Sequence, residues 1–351
     1  MGIKTGKLAL LVSAAGTVVG GVYLIKAYVG GTLYEGTQKL TDKVVIITGA
    51  NTGIGKETAL NFAKREAKVI MACRDMHKCE KTRRQIVLET KNRYVYCRKC
   101  DLASYASIRT FVDQFKKEQS KLDILVNNAG VMRCPQCYTE DGIEMQLGVN
   151  HMGHFLLTNL LLDTLKASAP SRIINVSSIA HTRGKIKVTD LNSIESYDPG
   201  EAYAQSKLAN VLFTRELAKR LEGLRILYIL IMCYIASTIH LLGTGVTVNA
   251  VHPGIVDTEI TRYMSFYNSI LSAIFVRPLV WPFIKSPLQG AQTIIYAAVE
   301  PQLKDVSGKY FSDCKETDVS EEAKDEKLAK WLWMTSEKWT KLNVSSFVTA
   351  A

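Results

Sequence analysis

Six short apolar runs, Val44–Thr48, Val69–Cys73, Val95–Cys100, Ile124–Asn127, Arg172–Val176 and Val246–Val251, alternate along the chain with stretches of helical periodicity. The helical stretches are Ile54–Ala67, Cys79–Thr90, Ile108–Gln119, Met145–Lys166 and Tyr203–Leu221. A strand that is apolar at nearly every position needs cover on both faces, and alternation with helices supplies it. The pattern therefore predicts an α/β fold: one doubly wound, Rossmann-type parallel sheet in a single large domain. Right-handed crossovers then place the ligand crevice at the carboxyl ends of the strands, so the residues just after each strand become the candidates for chemistry.

The first of these turns reads Thr48-Gly49-Ala50-Asn51-Thr52-Gly53-Ile54-Gly55 between a strand and a helix. Its glycines let the backbone approach a pyrophosphate at a helix amino terminus, with Asn51, Thr52 and Ile54 as the intervening wall. The second strand ends in Cys73-Arg74, where an NAD-selective site would carry an acidic residue for the ribose hydroxyls. The guanidinium fork of Arg74 suits a 2′-phosphate instead, which predicts NADP(H); the competing reading is an ion pair with Asp75. Asp101-Leu102 is placed to meet adenine, and Asn127-Asn128-Ala129-Gly130 ends the fourth strand beside the cofactor.

Ser177 and Ser178 follow the fifth strand. Successive residues point to opposite sides, so only one can face the crevice. Tyr203 and Lys207 stand at positions i and i+4 of one helix face, close enough for the ammonium to lower the phenol pKa from about 10 toward working pH. Asn150 lies in a helix otherwise apolar, so its amide needs a partner or a task. After the sixth strand comes His252-Pro253-Gly254-Ile255-Val256-Asp257-Thr258, with Thr258 and nearby backbone positioned to hold a nicotinamide amide.

Several function classes recede on composition. The net charge of +11 is spread over amphipathic helical stretches instead of a basic run with interleaved aromatics, which argues against nucleic acid. Eight cysteines include the pairs Cys97/Cys100 and Cys134/Cys137. Their spacing admits zinc or a redox pair, but the pairs fall on separate strands, so no metal and reduced thiols are expected.

Leu8–Ile25 is an uncharged run flanked by Lys4, Lys7 and Lys26, long enough to cross a bilayer. It predicts an amino-terminal membrane anchor over residues 1–30, with a linker over 31–42. Leu224–Gly243 is a second apolar stretch. A span there would separate the last strands from their sheet, so it reads as an insertion at the amino ends of the strands. Residues 259–287 are aromatic and aliphatic, broken by Pro278 and Pro282, and predict an apolar lid over a lipophilic substrate.

Taken in order, the TGxxxGxG turn, NNAG, Asn150, Ser178, the YxxxK pair and the PG-x-V-x-T segment resemble the short-chain dehydrogenase/reductase family over residues 43 to 311. The wording "GANTGIGKETA", "ACRDM", "NNAGVMRCP" and "DVSGKYF" is similar to its retinol dehydrogenase branch, which lacks a counterpart of Leu224–Gly243. The resemblance implies a metal-free hydride transfer in which Tyr203 is the general acid of reduction and Lys207 binds ribose. It also implies that Ser178, not Ser177, holds the carbonyl oxygen and that Asn150 supports a proton relay. The dehydrogenase domain is expected over 43–340, followed by a tail over 341–351. It favours a retinoid substrate, reduced with NADPH, and the mitochondrial inner membrane over the endoplasmic reticulum. A homodimer through 145–166 and 203–221 is a further expectation. Apolar composition fits steroids and lipid aldehydes too, and a membrane-tethered nucleotide-binding protein disabled by the insertion is the alternative outside catalysis.

Overall fold

The structure is a computed structural model that describes residues 16–17, 19–235, 244–264 and 269–342. Residues 19–30 are helical (α1). The Rossmann core then runs β1 (Val44–Thr48), α2 (Gly53–Lys64), β2 (Lys68–Cys73), α3 (Met76–Thr90), β3 (Val95–Lys99), α4 (Tyr105–Glu118) and β4 (Ile124–Asn127). The second half is α5 (Met145–Leu147), α6 (Gly153–Ala167), β5 (Ser171–Val176), α7 (Pro199–Ile235) and β6 (Val246–His252). It closes with α8 (Arg277–Val280), α9 (Pro287–Val299), β7 (Tyr310–Ser312), β8 (Lys315–Glu316), α10 (Glu321–Lys324) and α11 (Glu326–Trp339).

The eight strands lie in the order β3-β2-β1-β4-β5-β6-β7-β8. All pairs are parallel except the last. The strand order reverses between β1 and β4, so a crevice opens there at the carboxyl edge. Alternation along β1 explains the two layers. Val44 and Ile46 join the core under α4, α6 and α7, whereas Val45 and Ile47 join the core under α2, α3 and α9. The six expected strands are present with ends shifted by at most a residue. The short β7 and β8 were not anticipated, because three and two residues carry no readable period.

Two helices differ from expectation. The helix expected over 145–166 is interrupted by a π-turn at Gly148–Met152, which holds Asn150. The helix expected over 203–221 continues to Ile235, into the apolar insertion; residues 236–243 lie outside the described residues. α7 starts beside the carboxyl edge and β6 starts by pairing Val246 with Ser171 at the amino edge. Among the described residues no helix is long and apolar enough to cross a membrane. Residues 8–15 and 18 of the expected amino-terminal span lie outside the described residues, as do residues 265–268 of the expected lid and 343–351 of the tail.

The expectation of reduced thiols fails at one place. Cys79 of α3 and Cys97 of β3 are joined by a disulfide, their Cα atoms 6.0 Å apart. Helix and strand pack side by side there, which brings two buried sulfurs from 18 residues apart to bonding range. Cys73, Cys100, Cys134, Cys137 and Cys314 are free. Among the described residues no group of three or more His, Cys, Asp or Glu side chains is placed to hold a metal.

Candidate active site

The carboxyl edge of β1, β2, β3 and β4 surrounds a cavity of about 320 Å³. The glycine turn forms its floor: Gly49, Asn51, Thr52, Gly53, Ile54 and Gly55 all line it. Backbone geometry demands glycine here. Gly49 and Gly53 have φ of +64° and +54°. A Cβ on Gly55 would stand 2.4 Å from the Gly49 carbonyl oxygen. The Thr52 side chain makes no capping hydrogen bond and the first turn of α2 holds no acidic residue, so the free N–H groups of this helix end face the cavity. That is the surface a pyrophosphate requires. Of the other residues expected at the cofactor, Arg74, Asp101, Leu102, Asn128, Ala129, Gly130 and Thr258 also line it, whereas Tyr203 and Lys207 do not.

The floor is braced by Thr48, which sequence reasoning passed over. Its hydroxyl accepts hydrogen bonds from the Asn128 and Ala129 N–H groups, both at 2.9 Å, and lies 2.9 Å from His154 Nε2. Asn128 Nδ2 donates to the Thr48 carbonyl at 2.8 Å. Asn127 turns inward to Thr158 and Asn175 and does not reach the cavity. The two amides therefore divide between sheet packing and holding the glycine turn.

Pro253, Gly254 and Val256 lie outside the cavity wall. A Cβ on Gly254, whose φ is +90°, would meet the Lys285 side chain at 2.8 Å, and Val256 bridges Lys285 through its backbone. These residues thus fasten the loop after β6 to the start of α9. His252 assists: burial pushes its imidazole down to about 4, and Nδ1 accepts from the Ile179 and Gly254 N–H groups.

Gly130 links the cavity to the catalytic candidates. A Cβ there would be 3.2 Å from Asn150 Oδ1 and 3.7 Å from Lys207 Nζ. Asn150 is wholly buried and its amide is committed: Oδ1 accepts from Val131 N–H at 2.8 Å, while Nδ2 donates to Val131 O and Ser206 Oγ, both at 2.9 Å. The two serines divide as strand alternation requires. Ser177 is buried and donates to the Lys207 carbonyl at 2.8 Å, away from the crevice. Ser178 caps the short helical turn Ile179–Arg183, its hydroxyl accepting from the Ala180 N–H at 3.2 Å, and it favours ionisation of the neighbouring Tyr203 phenol.

One electrostatic expectation is corrected. Lys207 does not bring the Tyr203 phenol toward neutrality: burial pushes it up to about 12, against opposing effects of Ser178 and Arg183. The Lys207 ammonium is itself pushed down to about 8 by burial. It donates to the Val176 carbonyl at 3.1 Å and lies 5.7 Å from the centre of the Tyr203 ring. Desolvation dominates both shifts. Arg183 and His181, whose Nδ1 lies 2.8 Å from the Ser178 carbonyl, were missed, though both sit within five residues of Ser178. Tyr310 was missed too; it packs on His181 with ring centres 4.7 Å apart.

The chain as a whole has known relatives. Residues 43–241 match the family described as short chain dehydrogenase. The chain belongs to that family. It is therefore an oxidoreductase of a family that uses a nicotinamide cofactor. Retinol dehydrogenase 13 of Mus musculus is 51% identical over 333 residues, covering 95% of this chain and 94% of the relative. Retinol dehydrogenase 12 of Homo sapiens is 50% identical over 311 residues, covering 89% and 90%. An uncharacterized protein from Mycobacterium paratuberculosis superposes with a TM-score of 0.67 at 33% identity, over 89% of this chain and 98% of that one. The RhlG/NADP complex of Pseudomonas aeruginosa shares the fold at a TM-score of 0.58 and 23% identity, over 78% and 95%.

Proposed function

We propose that this enzyme is an NADP(H)-dependent reductase of a lipophilic aldehyde, with all-trans-retinal to retinol as the favoured conversion. The observation that carries the chemistry is the buried Tyr203 phenol one helical turn from Lys207, whose Nζ lies 5.7 Å from the Tyr203 ring centre and 3.7 Å from where a Cβ on Gly130 of the cavity wall would stand. A phenol held up to about 12 keeps its proton at working pH, which suits a donor to a carbonyl oxygen gaining negative charge. Ser178 holds that oxygen, and Lys207 binds ribose hydroxyls. Asn150, saturated by Val131 and Ser206, supports the proton relay by fixing this wall. The bound nicotinamide supplies or receives hydride.

Arg74 supports the phosphorylated dinucleotide. It is exposed at the end of β2, lines the cavity and has no ion pair among the described residues; Asp75 instead accepts from the Lys78 N–H as the cap of α3. Retinoid preference rests on the names of the relatives, retinol dehydrogenases 13 and 12. It is supported by the exposed apolar side chains of Ile270, Leu271, Phe275, Leu279 and Trp281 in the lid segment.

The anchor reading extends to residues 8–25. Lys26 supports it by tying α1 to the lid: its ammonium donates to the Trp281 and Ile284 carbonyls and sits 4.6 Å over the Trp281 ring. The proposed plan is anchor 1–30, linker 31–42, dehydrogenase domain 43–340 with the 224–243 insertion and 259–287 lid, and tail 341–351, on the mitochondrial inner membrane rather than the endoplasmic reticulum. Pairing of two copies would use the outer faces of α6 and α7, since Trp333 of α11 already covers Phe155 and Phe213. Turnover of all-trans-retinal, a steroid ketone and a medium-chain aldehyde, each with NADPH and NADH, tests the proposal. Preference for the steroid, or for NADH, would overturn it, and cofactor binding without turnover would point to a disabled enzyme.

A further inference from the structure

The cavity wall sets Glu259 among the cations Arg74, Lys78 and Arg262, with Asp75 and Asp101 as its other carboxylates. Lys78, in the first turn of α3, has its Nζ 3.3 Å from Glu259 Oε2 and 3.5 Å from Oε1. The partners are 181 residues apart in sequence, and both are about half exposed. Glu259 opens the turn Glu259–Tyr263, which begins the lid segment. That turn is pressed onto the cofactor floor: a Cβ on Gly53 would lie 2.9 Å from Thr258 Cγ2. Arg262 of the same turn also lines the cavity, donating from Nη1 to the Glu259 carbonyl at 3.0 Å. Asp75, the carboxylate nearest to Lys78 in sequence, is instead directed at the Lys78 backbone N–H at 3.0 Å.

We infer that Glu259 competes with the 2′-phosphate of the dinucleotide for Lys78, and so sets how strongly the enzyme prefers the phosphorylated cofactor. The inference rests on the NADP(H) reading of Arg74. A phosphate monoester carries close to two charges at neutral pH against one for a carboxylate, so it outbids Glu259 for the same ammonium. A half-exposed ion pair is weak enough to be exchanged. Lys78 then passes from a link between α3 and the lid turn to a ligand of the phosphate beside Arg74.

Binding of 2′,5′-ADP and of 5′-AMP, measured by calorimetry on the full chain, separates the possibilities. Glu259→Gln is expected to tighten 2′,5′-ADP about threefold to fivefold while leaving 5′-AMP unchanged. Lys78→Gln should weaken 2′,5′-ADP alone, and in that background Glu259→Gln should have little further effect. An equal gain from Glu259→Gln with and without Lys78 would overturn the competition, leaving only diffuse repulsion. So would no gain at all in a protein that still prefers 2′,5′-ADP. Equal binding of the two probes by the unaltered chain would instead sink the NADP(H) reading itself.

Discussion

The Lys207 ammonium donates to the Val176 carbonyl at 3.1 Å, and burial lowers its pKa to about 8. Below that value the side chain is a cation available to ribose hydroxyls; above it the cation is lost. Cofactor affinity is therefore expected to fall as pH rises through about 8, by at most tenfold per unit, in equilibrium titrations of NADPH. The stability effect has the opposite sign. Because the unfolded chain keeps this proton to higher pH, the Lys207 contribution to unfolding free energy grows above about pH 8, by up to ~1.4 kcal/mol per unit. Lys207→Met should flatten both dependences, and an unchanged affinity profile would remove Lys207 from the cofactor site.

Tyr203→Phe deletes the proton donor while keeping the ring packed against Ala180 and Ala204. Turnover is expected to fall about 10²- to 10⁴-fold with the NADPH dissociation constant little changed. Steady-state rates and fluorescence titration read the two quantities, and retained turnover would assign the proton to another group.

At the opposite end of the cavity, Arg74→Asp places a carboxylate where a 2′-phosphate is expected. Loss of a charge-assisted hydrogen bond corresponds to roughly 10- to 100-fold weaker NADPH binding, with NADH changed far less. Equal effects on the two cofactors would refute the assignment.

Gly55→Ala forces a methyl group against the Gly49 carbonyl and the Asn128 amide, at 2.4 and 2.6 Å. Backbone cannot swing aside as a side chain can, so α2 must lift from the turn. We expect a loss of about 1–3 kcal/mol in denaturant unfolding together with weakened dinucleotide binding.

Removal of residues 224–243 would join Gly223 to Thr244 and end α7 on a glycine, the residue best suited to a helix carboxyl terminus. The shortened chain should melt at the same temperature or higher. A lower melting temperature would make the segment an integral part of the fold.

Much of this protein is written in local pattern. The period of apolar residues gave six strands and their helices, and the β1 turn gave the glycines that its positive φ angles require. Strand alternation stated that one of Ser177 and Ser178 must face away; the family resemblance chose Ser178, and the Ser177 bond to the Lys207 carbonyl agrees. These properties depend on neighbours a few residues apart, so one-dimensional spacing suffices to read them. Other features exist only once distant segments meet. Thr48 bracing β4, the disulfide between Cys79 and Cys97, the π-turn that seats Asn150 and the Lys78–Glu259 pair are all set by packing. The Tyr203 phenol makes the same point. Its spacing to Lys207 suggested a lowered pKa, yet the direction is decided by loss of water, and how much water a group loses is a property of the whole folded chain.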